Sequence, residues 1–515
     1  MAFTWRSGCA KAAERVMRVA TICLLALASI ASQPLAAQAL PPDHVDAFAK
    51  PRVFVLTDIG NEPDDQMSLV RLLVYSNEFD LEGLVATTST WQKEKIQPET
   101  IHQVIAAYAK VRQNLEKHAS GWPEAAKLDA MVSAGQPSYG MAAVGPDKMS
   151  AGAKALIAAA DRKDARPLWI TVWGGANTFA QALTHVRATR KPAELQAFVA
   201  RMRVYSISDQ DDAGPWIRRE FPALHYIVKP SPPNGNEYGS ATWTGISGDE
   251  FYRNCAGADG TTVTNEWLDK NIRAKGELGK AYPRFAFIME GDTPSFLGLI
   301  GNGLVSFMNP SWGGWGGRYA YLQPYGETHD IWSQGGDVFP RVNSRDSVTG
   351  VDGKTYLSDH ATIWRWRNAF QNDFAARMDW TVKPFEGANH NPRLTVNGSA
   401  GTEPVYLDAP VGKTLVLDAS GSGDPDRNKL SYRWFHYPEA GYVPGANMAD
   451  VEIARGDTSQ AHVKITATCR PDWLHTNNHC NKGIAHIVLA VTDDGTPALT
   501  SYRRVVLRIR PELIP

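Results

Sequence analysis

Val53–Asp65 reads VFVLTDIGNEPDD. Val53 to Leu56 are apolar or β-branched and predict a buried strand. Thr57–Asp65 then turns, and an amphipathic helix is expected over Gln66–Asn77. A chain leaving a parallel strand at its C-terminal end arrives where α/β sheets place ligands. Asp58, Glu62, Asp64 and Asp65 all fall in this turn. Such charge in a Gly/Pro-bent loop repels itself, and a hard divalent cation held by oxygen ligands relieves the repulsion. The alternative is a solvated acidic helix start with Asp64 or Asp65 as N-cap.

Outward from this loop, strands and helices alternate from Arg52 to about Val382. Further strands are expected at Leu81–Thr88, Leu168–Trp173, Arg203–Ser208 and Arg284–Met289, with helices over Pro98–Lys117 and His360–Met378, the latter capped by Asp359. Most of these strands end in a polar or Gly-rich turn that opens into a helix. That predicts an α/β fold, a mostly parallel sheet with helices on both faces and its site at the C-terminal edge. Three acidic turns then converge there: Asp58/Asp64/Asp65, Asp209–Asp212 and Glu290/Asp292. A mostly carboxylate cage suits Ca²⁺, whereas zinc wants His or Cys.

Near Gly387 the pattern changes to short β-rich runs separated by Gly, Asp, Asn and Pro. Lys413–Asp418, Leu430–Phe435, Gln460–Ala467, Ile484–Thr492 and Tyr502–Ile509 read as strands of an all-β sandwich. Ser420–Asp426, Leu430–Trp434 and Val491–Gly495 resemble the immunoglobulin-like repeats of polycystic-kidney-disease type. The expected organisation is a signal peptide (1–39), an α/β domain (40–385) and an immunoglobulin-like β-sandwich domain (386–515), joined near Glu386–Pro392.

The N-terminus carries Arg6, Lys11, Arg15 and Arg18, then the apolar run Val19–Ile30, then Ala37-Gln38-Ala39. This is the layout of an export signal, and the apolar run is too short for a membrane anchor. The expectation is a periplasmic or secreted protein with no membrane span after cleavage. Removing residues 1–39 takes away four basic residues and Glu14, which moves the net charge from −1 to −4. With no basic block, a nucleic acid polymer is not the expected partner. Cys469 and Cys480 are expected to form a disulfide, with a zinc site including His475 and His479 as the rival. Cys255 is left over and expected to be buried.

Thr57-Asp58-Ile59-Gly60 followed by Asp64-Asp65 resembles the signature loop of nucleoside hydrolases. The resemblance implies Ca²⁺ bound by this loop and an Asp that activates water. Thr171–Asn177 resembles that family's segment whose backbone carbonyl is a calcium ligand, by position Ala176, and Asp292-Thr293-Pro294 resembles its final ligand turn. By that resemblance Asp58, Asp65, Asp292 and the Ala176 carbonyl hold calcium, and Asp64 is the general base. The chain departs from the family in its longer spacing from Asp58 to Asp64, which adds Glu62, and in having Gly291 where a His is usual. His329 is the substitute candidate for leaving-group protonation. The full layout resembles a bacterial cellulose-binding-protein family with a nucleoside-hydrolase-like domain.

Asn177 is expected to bind substrate, and Asp209 and Asp212 either hold sugar hydroxyls or solvate a turn. Trp312 and Trp315, in a Gly-rich loop, are expected to stack on a sugar ring, with hydrophobic cover for the sheet as the alternative; the rim loops are Pro230–Gly239 and Asn309–Gly317. The expected activity is calcium-dependent hydrolysis of an N- or O-glycosidic bond in a carbohydrate or glycoconjugate. A non-catalytic carbohydrate-binding protein on the same scaffold and a nucleoside N-ribohydrolase proper are the alternatives.

Overall fold

The computed structural model describes residues 50–145, 147–231, 239, 241–247, 256–334, 344–441, 449–467 and 483–510. The expectations for the signal peptide, Cys255, Cys469, Cys480, His475 and His479 lie outside the described residues, as does most of the rim loop Pro230–Gly239.

Eight strands form one sheet: β1 (Arg52–Thr57), β2 (Asp80–Ala86), β3 (Val132–Ala134), β4 (Leu168–Val172), β5 (Met202–Ser206), β6 (His225–Val228), β7 (Ala320–Leu322) and β8 (Ile331–Ser333). Their order is β3-β2-β1-β4-β5-β6-β8-β7, parallel except for the antiparallel β7–β8 pair. From β1 the chain runs to β2 and β3 on one side, then crosses to β4 on the other. The β1/β4 boundary is therefore the topological switch point, where such sheets bind ligands.

β1 is buried along its whole length. Its alternate residues feed two cores. Val53 and Val55 pack with the helices α1 (Pro63–Val74) and α2 (Pro98–Ala109), while Phe54 and Leu56 pack with α3 (Ala151–Asp161), α4 (Asn177–Thr189) and α5 (Ala213–Glu220). A strand covered on both faces needs an unbroken apolar run, which VFVL supplies.

Several local expectations are corrected. Arg284–Met289 is not a strand. Its backbone is held at Met289 by Ser247, whose hydroxyl both donates to and accepts from it (2.5 and 3.0 Å), and Phe287 and Ile288 line a cavity instead. The long helix from Pro98 divides into Pro98–Ala109 and Arg112–Leu115. His360–Met378 divides into Ala361–Trp364 and α6 (Arg367–Asp379), and Asp359 accepts from Ser344 Oγ rather than capping.

From Thr395 on, the elements among the described residues are all strands. Sheets of four and three strands enclose a core containing Trp434, Val463, Ile487 and Val505. The larger sheet carries Val405–Pro410 parallel to Thr500–Arg510, with Gly483–Asp493 and Leu430–His436 antiparallel beyond it. This part is fused to the α/β part rather than hung from it. Tyr437, Val488 and Tyr502 belong to the same core as α1 and α6. Buried Arg504 donates to the carbonyls of Leu304 (2.9 Å), Trp312 (3.1 Å) and Gly313 (2.9 Å). At the joint, Asn389 and His390 are buried; the Trp380 indole donates to the Asn389 carbonyl, and the His390 ring meets Asp426 at 3.0 Å. Among the described residues no helix is long and apolar enough to cross a membrane.

Candidate active site

The acidic loop is shaped by three side-chain ties. Thr57 Oγ1 accepts from the Ile59 amide and donates to Asp65 Oδ1, while Gln92 Nε2 donates to the Asp58 carbonyl (3.1 Å) and Gln97 Nε2 to the Gly60 carbonyl (2.7 Å). Glu62 occupies the N-cap of α1 in extended conformation without a capping side-chain bond, Pro63 begins the helix, and Asp64 and Asp65 sit in its first turn. The capping alternative therefore fails: neither Asp satisfies a cap, and both face inward with their neighbours.

Asp292 reaches the same place from the far side of the sequence. Glu290, at φ 55°, is locked by Arg71 (2.5 Å), Tyr282 (2.6 Å) and Thr293 (2.8 Å), all buried. A buried, fully bonded ion pair fixes the turn that presents Asp292. Trp173, just after β4, donates its indole N–H to Ser295 Oγ, which in turn donates to the Asp292 carbonyl. The result is that Asp64, Asp65 and Asp292 each bring a carboxylate oxygen within 4.8 Å of the others. Asp58 lines the same cavity as these three.

Asp58, Asp65 and Asp292 are buried, and Asp64 is half-buried. Burial pushes the Asp58 carboxyl up to about 6 and Asp64 up to about 8; Asp65 and Asp292 are held far above the usual carboxylate range, and the neighbouring carboxylates add to each shift. Asp292 Oδ2 is buried without a hydrogen-bond partner. An all-oxygen donor set with an orphaned buried carboxylate oxygen fits a hard divalent cation.

These residues line a cavity of about 280 Å³. Its remaining wall is Asn61, Glu62, Trp91, Ile207, Gln210, Trp243, Phe287, Ile288 and Gly291. Of these, Trp91 and Trp243 were not legible as site residues, since each is a lone aromatic without a periodic pattern around it, and Phe287 was read into the expected strand Arg284–Met289.

Other expected site residues lie elsewhere. The Ala176 carbonyl accepts from Ala180 N at the start of α4 (2.9 Å), and Ala176 is not among the residues that line the cavity. The Trp173 carbonyl in the same turn accepts from Nε2 of the cavity-lining Gln210. Asn177 is fully buried and its amide donates to Thr88 Oγ1 and the Ser138 carbonyl. Asp209 is paired at 2.8 Å with buried Arg218, which also holds Glu327. Asp212 accepts from the Met141 amide (2.7 Å), and Asp211 caps the start of α4 through the Asn177 amide. Trp315 is buried against Phe370 and Tyr502, and Trp312 packs edge-on against His486. His329 stands ahead of β8, bonded to Thr328. None of these lines the cavity. Their physical reasons are shared: a buried charge needs a partner, and a large aromatic beside glycines packs inward when a second layer covers it.

The family model described as "Cellulose-binding Sde182, nucleoside hydrolase-like domain" matches residues 52–319. The chain belongs to this family. The model for the C-terminal domain of cellulose-binding protein Sde0182 matches residues 414–509 of this Sde182-type protein. A solved structure from Saccharophagus degradans, titled a nucleoside hydrolase-related hypothetical protein associated with carbohydrate metabolism, is 36% identical. The match covers 90% of this chain and 100% of that one, with a TM-score of 0.71. A curated relative, the PqqA peptide cyclase of Bradyrhizobium diazoefficiens, is 23% identical over 133 residues, 24% of this chain; the chain spans only 32% of that relative's length. The solution structure of the PKD domain from KIAA 1837 protein is 21% identical over 22% of this chain and 86% of its own, with a TM-score of 0.15. Neither of these last two carries an inference about the site.

Proposed function

We propose that this Sde182-type protein is an exported, calcium-dependent hydrolase of glycosidic bonds in carbohydrate. The observation that carries the reading is the convergence of Asp58, Asp64, Asp65 and Asp292 in one cavity, with Asp292 Oδ2 unpartnered. Asp58, Asp65 and Asp292 would hold calcium. When bound, calcium supplies a Lewis acid that lowers the pKa of a water and orients sugar hydroxyls. Asp64, half-buried at the cavity surface, takes the proton of the attacking water. The buried Arg71–Glu290 pair keeps the Asp292 turn rigid, and the Gln92 and Gln97 bonds keep the acidic loop in place. The signal-like residues Arg6 to Ala39 support action in the periplasm or outside the cell.

A second reading, a non-catalytic carbohydrate binder, is favoured by two features: the family's printed description is cellulose-binding, and among the described residues lining the cavity there is no histidine to protonate a leaving group. The discriminating experiment is a screen of purified protein with calcium against oligosaccharides and nucleosides. Sugar released from oligosaccharides alone selects the hydrolase. Tight binding without turnover selects the binder. Free base selects a nucleoside hydrolase proper.

A further inference from the structure

Sugars have two kinds of surface. Their hydroxyls seek carboxylates and hard cations, and their C–H faces seek the electron-rich faces of aromatic rings. The cavity supplies both. Its carboxylates come from the loop after β1 and from Asp292; its aromatic surface comes from Trp91, Trp243 and Phe287. Trp243 is buried, but Trp91 and Phe287 are each 54% exposed, so they stand at the mouth.

The turn that carries Trp91 is fixed by its own bonds and shares one with the acidic loop. Ser89 Oγ accepts from the Trp91 and Gln92 amides (3.0 and 3.1 Å), Thr90 N donates to the Gln210 carbonyl (2.6 Å), and Gln92 Nε2 ties the turn to Asp58. An exposed Trp on so fixed a backbone is preorganised for contact. The volume, about 280 Å³, is at the small end for ligand sites and holds one or two sugar rings, not a through-running chain.

A nucleobase on these rings would need polar groups to satisfy its edge. Apart from carboxylates the polar lining groups are few: the indole N–H groups of Trp91 and Trp243, Asn61, and Gln210, whose Nε2 is already given to the Trp173 carbonyl while its buried Oε1 has no partner among the described residues. The outer hydroxyls of a sugar can instead point to water.

We propose that the cavity takes the end of an oligosaccharide, with one ring among the carboxylates and the next stacked on Trp91 and Phe287. This deepens the glycoside reading above and rests on it for the chemistry of the inner ring. The mouth is thus a specificity-determining subsite for the second sugar.

The test is calorimetric titration, with calcium present, of glucose and cello-oligosaccharides of two to six units against the full chain and its Trp91→Ala, Trp91→Phe and Phe287→Ala variants. Affinity should rise at least ten-fold from one ring to two and level off by three. Trp91→Ala and Phe287→Ala should each remove about ten-fold for the disaccharide and little for glucose, and Trp91→Phe should restore most of it. Affinity that keeps rising to six units, disaccharide binding indifferent to both alanine variants, or nucleosides bound in preference with dependence on Trp91 would each overturn the proposal. Binding is read without turnover. The expected pattern with no hydrolysis would sink the hydrolase reading alone, and hydrolysis indifferent to Trp91→Ala would sink this subsite alone.

Discussion

A Cβ placed on Gly291 would lie 2.9 Å from Asp64 Oδ2. The residue just ahead of the Asp292 ligand turn therefore abuts the candidate base, and only a hydrogen atom fits between them without displacement. The His expected at this place from the nucleoside-hydrolase pattern would displace the Asp64 carboxylate.

Gly291→Ala should accordingly disturb Asp64 more than the fold. Overpacking costs about 1–3 kcal/mol where the neighbours cannot yield, and here the neighbour is the end of a carboxylate side chain. The hydrolysis rate should fall by about ten-fold or more, with calcium affinity and the thermal midpoint in chelator close to wild type. An unchanged rate would show that Asp64 can swing aside at no cost to the site.

The pH dependence of stability follows from the same cluster. Asp58 and Asp64 are raised to about 6 and about 8 by burial, with the charge of Glu62 adding to both and that of Asp58 adding to Asp64, above the roughly 3.9 of an unfolded Asp. A carboxyl raised in the folded state contributes stability that is full below the unfolded value and lost as pH rises through the folded one. The calcium-free protein should thus lose stability from about pH 4 to pH 8 through these groups. Calcium needs the deprotonated carboxylates and offsets their repulsion. Its effect on the thermal midpoint should be small at pH 5 and largest at pH 8. A calcium effect independent of pH would speak against binding at this cluster.

The all-β part should resist separation. Arg504 satisfies three carbonyls of the α/β part from a wholly buried position, and burial together with nearby Arg365 lowers its pKa to about 10. Arg504→Met leaves those carbonyls unpaired and should cost roughly 3–5 kcal/mol. Limited proteolysis of the wild type should spare 386–392, where Asn389 and His390 are buried. The variant should be cut there. Ready cleavage of the wild type at this joint would contradict the shared core.

What the sequence disclosed and what it hid divide along physical lines. β1 and its acidic turn were legible because two-sided burial writes an unbroken apolar run and because so dense a set of carboxylates is rare in a turn. Gln460–Ala467 matches its expected limits, and the other expected sandwich strands fall within about two residues of theirs. Arg284–Met289 misled because its aromatic alternation serves the cavity, not a sheet. Trp312 and Trp315 misled because their cover comes from His486 and Tyr502, far along the chain; Gly313, at φ 73°, leaves no room for a Cβ beside Tyr437 Oη. Asp209 was read as a holder of sugar hydroxyls because its partner, Arg218, lies in the second turn of the following helix, where local charge density says nothing. Trp91 had no periodicity to betray it.

The proposed hydrolysis turns on Asp64. The decisive measurement is the hydrolysis rate of Asp64→Asn at saturating calcium, on the glycoside that the screen selects, beside calcium content by elemental analysis. The expected result is a folded protein that retains calcium and loses roughly 10²–10⁴ in rate, the usual worth of a general base. Turnover at the wild-type rate would contradict it.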